Sequence, residues 1–195
     1  MAVRRADPHG RARANAPVPL RQSAPAEDPA NGRIVHFRAH DDLLLAARIF
    51  DTAESDRLPL LCLAGLSRNS RDFLALGRYF SGHPTEPRRV IALDYRGRGL
   101  SDWDRNWRNY TPIVEAQDVL AAATALGIDR SIVVGTSRGG IIAMLLGALR
   151  PGLIAAIVLN DIGPVVEGTG LARIKTYLGA VRTVGSWEDA VAVIR

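Results

Sequence analysis

Cysteine and lysine are almost missing from this sequence: Cys62 and Lys175 each stand alone among 195 residues. A lone cysteine inside the apolar run Leu58 to Ala64 excludes a disulfide framework, and the ligand spacings of a metal site are absent. No cofactor or metal is therefore indicated. No apolar stretch reaches the roughly 20 residues a membrane-spanning helix requires. The first thirty residues lack the apolar core of a secretory signal. No segment repeats. These absences together lead to an expected cytoplasmic protein with no membrane partner.

Excess basic charge is also scarce where the chain should fold. Of the net +5, residues 1–33 hold +3 (six Arg against three acids), which leaves +2 for residues 34–195. No dense basic stripe remains, so a nucleic-acid partner is not expected. The basic residues are nearly all arginine, which points to coding bias rather than to a partner. Nothing in the composition fixes an oligomeric state.

What is present divides the chain into three. Residues 1–32 are rich in Ala, Arg and Pro, with Pro8, Pro17, Pro19, Pro25 and Pro29 spread through them. Such a stretch buries little, and a disordered tail is expected. A transit peptide is the alternative, and Asp7, Glu27 and Asp28 count against it. Residues 33–160 alternate between strand and helix patterns. Ile34 to Ala39 and Leu43 to Phe50 read as two strands around Asp41-Asp42. Leu58 to Ala64, Val90 to Leu93, Ile132 to Val134 and Leu153 to Leu159 read as buried strands. Helical spacing covers Asn69 to Phe80, a stretch opened by Thr111-Pro112 and closed at Gly127, and Ile141 to Leu149. This alternation implies right-handed crossovers and a mostly parallel sheet with helices on both faces. Residues 161–195 carry two helix patterns, Leu171 to Val181 and Trp187 to Ile194, with no strand between them.

The most informative stretch is Ser131-Ile-Val-Val-Gly-Thr-Ser-Arg-Gly-Gly140. A β-branched run ends in Gly-x-Ser-x-Gly and a helical pattern follows at once, which is the context of a nucleophile elbow. Such a turn holds its serine at positive φ, so the residues two away must be small, and Gly135 and Gly139 are. The Ser137 hydroxyl would then project above the strand ends beside free amides at a helix N-terminus. The alternative is an ordinary strand-to-helix turn with Ser137 as N-cap.

Three segments at the ends of expected strands resemble the α/β-hydrolase family over roughly residues 33–195. They are Leu63-Ala-Gly-Leu66, Asp94-Tyr-Arg-Gly-Arg-Gly-Leu-Ser101 and Gly135-Thr-Ser-Arg-Gly139. The resemblance implies an α/β-hydrolase fold with an N-terminal antiparallel hairpin, whose first six strands end by residue 160. Residues 161–195 would then begin a helical cap. It makes Ser137 the nucleophile, and the backbone amides of Leu66 and Arg138 the oxyanion hole. A serine at the elbow favours acyl chemistry over the dehalogenases and epoxide hydrolases that carry a carboxylate there.

For the triad acid the resemblance offers either a position after a seventh strand, beyond residue 195, or Asp161 after the sixth, 24 residues past Ser137. Its other reading is a turn former before Gly163-Pro164. The base is the gap, because His9, His36, His40 and His83 all precede Ser137 whereas the family places its histidine late. The expectation is a chain that stops inside the cap, with the histidine and the last strands beyond it. Arg96, Arg98, Arg105 and Arg138 could ring the pocket mouth for an anionic substrate, or pair with Asp94, Asp102 and Asp104. Trp103, Trp107 and Tyr110 could wall an acyl pocket, or simply pack a long loop.

The expected activity is hydrolysis of a carboxylic ester, thioester or lactone of a small molecule through an acyl-enzyme. A carbon–carbon bond hydrolase or an acyltransferase of the same machinery is the alternative. A truncated, inactive chain of hydrolase fold is the reading from another class.

Overall fold

The computed structural model describes residues 29–52, 55–165, 168 and 186–194. Among them are six strands: Arg33–Arg38 (β1), Leu44–Phe50 (β2), Leu60–Leu63 (β3), Val90–Asp94 (β4), Ser131–Thr136 (β5) and Ile154–Asn160 (β6). Four α-helices accompany them: Leu74–Ser81 (α1), Pro112–Ala125 (α2), Arg138–Leu149 (α3) and Trp187–Ile194 (α4). The strands form one sheet in the order β1-β2-β4-β3-β5-β6. The pairs β1/β2 and β2/β4 are antiparallel, and β4/β3, β3/β5 and β5/β6 are parallel.

The continuous apolar runs make sense once both faces of the sheet are covered. Side chains alternate along a strand. Leu61, Leu63, Ile91, Leu93 and Val133 therefore pack on one face with Ala116, Val119 and Ala122 of α2 and Ile142, Ala143 and Leu146 of α3. Leu60, Cys62, Val90 and Ala92 point the other way, where Leu74, Leu76 and Phe80 of α1 join them. Each fully buried Leu or Ile contributes about 1.5–3 kcal/mol relative to exposure. Cys62 is one of these core residues, and burial pushes its thiol up to about 12.

Local sequence explains where the helices begin. Thr111 is extended and its side chain accepts the Val114 amide at 3.4 Å, with Pro112 at the first helical position of α2. Ser186 does the same for α4, accepting the Asp189 amide at 3.1 Å. The helix expected over Asn69 to Phe80 divides instead into a 3-10 turn, Ser70–Phe73, and α1. The Asn69 side chain accepts the Arg71 amide and tightens that first turn. Before β1, Pro29–Asn31 form a 3-10 turn, and the side chains of Arg78 and Arg48 donate to carbonyls within it.

One expectation is corrected. The sequence predicts a buried strand over Leu153 to Leu159, yet β6 keeps Ile157 37% and Val158 49% exposed. Among the described residues β6 pairs with β5 alone, which makes it an edge. The expected helix Leu171 to Val181, and most of residues 1–32, lie outside the described residues. None of the helices among the described residues is long and apolar enough to cross a membrane.

Candidate active site

The site is built where β5 stops. Thr136 ends the strand, α3 starts at Arg138, and Ser137 between them has φ 50° and ψ −112°. A non-glycine residue there is strained by about 1–3 kcal/mol. Surrounding contacts hold it in place. The Ser137 amide donates to the Asn160 carbonyl at 2.9 Å, and its own carbonyl accepts the Gly140 and Ile141 amides at 2.9 and 3.3 Å. The hydroxyl makes no capping bond, so the N-cap alternative fails. Ser137 is half-buried. The helix begins three residues earlier than its apolar pattern suggested, because Arg138, Gly139 and Gly140 form its first turn.

The glycines of the motif are fixed by close backbone approach. A methyl group on Gly135 would lie 2.6 Å from the Gly139 carbonyl oxygen, and one on Gly139 would overlap the Leu63 carbonyl. This crowding brings the loop after β3 against the elbow. A methyl on Gly65 would lie 3.9 Å from Ser137 Cβ. Leu66 follows at the exposed rim. Neither the Leu66 nor the Arg138 amide donates to another backbone group among the described residues. Ser137, Gly65-Leu66 and Arg138 thus meet at the carboxyl ends of β3 and β5, whose paired residues there are Leu63 and Gly135.

The loop after β4 is the third part. Asp94 accepts the Ser70 amide at 2.6 Å and the Leu100 amide at 2.9 Å through its two carboxylate oxygens. Ser101 donates to the Asp94 carbonyl at 2.6 Å and accepts the Ala46 amide at 2.9 Å. The first and last residues of this segment therefore fold the loop. Arg96 is fully buried rather than at a pocket mouth. It forks onto Asp118 at 2.8 and 2.7 Å and reaches Asp41 at 3.0 Å and Asp104 at 2.6 Å. Burial is the largest influence on Asp118 and leaves its carboxyl above the ordinary range despite Arg96. For the more open Asp41 burial pushes up, but Arg96, the Leu43 amide and His40 together bring it below.

Arg138 is paired as well. Its Nε donates to Glu115 of α2 at 2.6 Å and its second terminal nitrogen to the Tyr110 carbonyl at 3.1 Å. Burial raises the Glu115 carboxyl, with Arg138 opposing. Arg98 donates to the carbonyls of Leu66 and Gly97, both at 3.1 Å. Arg105 is exposed. Trp103 and Trp107 stand 71% and 73% exposed rather than walling a pocket. Tyr110 packs the loop, its hydroxyl accepting the Asp104 amide and donating to the Asp104 carbonyl. Sequence reasoning missed Glu115 and Asp118. They share a helical face with Val119 and Ala122, and a carboxylate on an apolar stripe was the available signal.

Asp161 is exposed with φ 56°, one residue past Asn160, which pairs with Thr136. It therefore sits at the same end of the sheet as Ser137, in the left-handed conformation that a turn residue adopts. The histidines are placed elsewhere. His36 lies on the exposed side of edge strand β1, and His40 in the turn before β2. His83 follows α1 at the opposite end of the sheet, where its Nδ1 accepts the Glu86 amide at 3.0 Å. His9 is outside the described residues. No group of three or more His, Cys, Asp or Glu that could hold a metal occurs among the described residues.

Comparison with known proteins agrees with this fold. A family model described as the alpha/beta hydrolase fold matches residues 59–178. A 3-hydroxybutyrate-oligomer hydrolase of Cupriavidus necator is 30% identical over 136 residues, covering 70% of this chain and 45% of the relative. Lipase LipV of Mycobacterium tuberculosis is 28% identical over 142 residues, 67% of this chain and 51% of the relative. The crystal structure of an alpha/beta hydrolase from Novosphingobium aromaticivorans superposes with a TM-score of 0.74 at 38% identity. That match covers 85% of this chain and 56% of the other. The chain spans about half the length of these relatives.

Proposed function

Because the chain belongs to the α/β-hydrolase fold family, we propose that it carries the nucleophile and oxyanion hole of a serine hydrolase acting on small carboxylic esters. The observation that supports this most is the strained, uncapped Ser137 at the strand-to-helix junction. Strain of this kind persists only where neighbours enforce it, and it clusters at reactive centres. The names of the relatives, a hydrolase of 3-hydroxybutyrate oligomers and a lipase, favour ester bonds over other acyl derivatives.

In the proposed cycle Ser137 Oγ attacks the ester carbonyl carbon and gives up its proton to a histidine base. The carbonyl oxygen becomes an alkoxide held by the amides of Leu66 and Arg138. As it collapses, the ester C–O bond breaks and the histidine returns the proton to the departing alcohol. Water then attacks the acyl-enzyme by the same route, releasing the carboxylic acid and restoring Ser137. Losing one oxyanion donor costs about 3 kcal/mol of barrier in such enzymes. His36 and His40 lie in and beside edge strand β1 and His83 follows α1, so the base is proposed to lie in sequence outside the described residues. Asp161 is proposed as its carboxylate partner, from its place beside the elbow.

Hydrolysis of p-nitrophenyl esters by the protein expressed from its complete reading frame tests this reading. Ser137→Ala is expected to lower kcat at least about 1000-fold with the fold intact. Rates in both proteins no higher than spontaneous hydrolysis would favour a non-catalytic chain of hydrolase fold, and equal rates above it would rule out Ser137 as the nucleophile.

A further inference from the structure

The loop after β3 is clamped peptide by peptide. The Ala64 carbonyl accepts the Tyr95 hydroxyl at 3.2 Å. The Gly65 carbonyl accepts the Arg68 amide at 3.1 Å. The Leu66 carbonyl accepts Arg98 Nε at 3.1 Å. In a trans peptide the carbonyl and the N–H point in opposite directions. With the Gly65 carbonyl turned to Arg68, the Leu66 N–H must face the other way. Holding the peptides on either side removes the remaining φ and ψ freedom of Gly65 and Leu66. Without that hold, Gly65 would be the most permissive link in the loop.

The two outer clamps come from one rigid piece of chain. The Gly97 amide donates to Asp102 at 2.8 Å, that of Arg98 to Tyr95 at 2.9 Å, and that of Ser101 to Arg98 at 3.0 Å. Asp94, at the start of the segment, accepts the Leu100 amide near its far end and the Ser70 amide of the turn before α1. The Tyr95 ring is buried in the core. Arg98 is steadied by its second bond, to the Gly97 carbonyl. A donor that is already aimed needs no reorganisation when charge develops, and this is where oxyanion stabilisation gains its strength.

We propose that Tyr95 and Arg98 are positioning residues that preset the Leu66 N–H for the oxyanion, an inference that rests on the serine-hydrolase reading of Ser137. Neither side chain touches the reacting atoms. They act through the carbonyls of Ala64 and Leu66, so their loss affects the transition state and leaves ester binding alone.

The test compares Tyr95→Phe, Arg98→Met and Arg98→Lys in the complete protein. Each is measured for p-nitrophenyl butyrate hydrolysis and for inhibition by a trifluoromethyl ketone that forms a tetrahedral adduct. Tyr95→Phe and Arg98→Met are each expected to lower kcat about tenfold at nearly unchanged KM. Affinity for the ketone should weaken in parallel with kcat/KM, and Arg98→Lys should recover part of the loss. Overturning results are kcat and ketone affinity within about twofold of wild type in both variants, or a loss carried by KM alone. If Ser137→Ala also keeps wild-type activity, the underlying reading falls and takes this inference with it. If Ser137→Ala is silent while Tyr95→Phe and Arg98→Met are fully active, only the clamp is wrong.

Discussion

Ser137 can hold φ 50° because the two glycines of its motif let β3, β5 and α3 approach within backbone contact. A methyl group at Gly139 would overlap the Leu63 carbonyl, and no flexible side chain is there to move aside. Gly147, two turns along the same helix, has nothing within 4 Å of the corresponding position. Two substitutions of identical chemistry should therefore have opposite signs. Gly139→Ala is expected to destabilise by about 3 kcal/mol or more. Gly147→Ala should stabilise by about 0.5–1 kcal/mol, because alanine is the better helix former. Urea denaturation of the two variants checks both signs, and equal effects would mean that the elbow is not crowded. At this scale the motif was legible in the sequence, since only small residues fit two places away from such a serine. The pairing of Arg138 was not legible, because Glu115 lies 23 residues away and reaches it only after α2 and α3 pack together.

Among the elements, α2 ties the site to the core through two buried carboxylates. Its apolar stripe faces the sheet, and Glu115 and Asp118 on that side take Arg138 and Arg96. Both carboxyls are raised above their ordinary values, chiefly by burial. A raised carboxyl keeps its proton in the native state at a pH where the unfolded chain has lost it. The contribution to stability must therefore fall as pH rises through the window that opens at the ordinary value. For Glu115 that window opens at 4.5. The stability of wild type minus that of Glu115→Gln is expected to decline as pH rises from this value and then to level off. Urea midpoints of the two proteins across a pH series read this difference directly, and a difference that grows with pH would contradict it. The helix itself was readable from Thr111-Pro112 and Gly127. Its buried carboxylates were not, because periodicity ranks a charged residue as solvated until a partner such as Arg96 appears from a distant loop. The exposure of β6 is hidden in the sequence for a related reason. An apolar run such as Ile154 to Leu159 records what a strand is made of, and not how many neighbours it has.

For the molecule as a whole, the alternation of strands and helices was enough to give a mostly parallel sheet with both faces covered. The crossing order β4-β3-β5 then follows from the connections. That order carries the segments after β3, β4 and β5 to one end of the sheet, although they begin at Ala64, Tyr95 and Ser137. Their convergence was legible; the network that binds them was not. Arg96 and Arg98 read in sequence as candidates for substrate contact, and Asp94 as a partner for such arginines. In the fold Asp94 and Arg96 organise loops, while Tyr95 and Arg98 hold the segment that follows β3. All of this turns on one hydroxyl being reactive. The most direct measurement is fluorophosphonate labelling of the folded, complete protein, followed by mass spectrometry of the tryptic peptide Ser131–Arg138. The phosphonyl group is expected on Ser137 and should be absent from the peptide of the Ser137→Ala variant. An unmodified Ser137, or an adduct on another residue that Ser137→Ala leaves in place, would contradict the assignment.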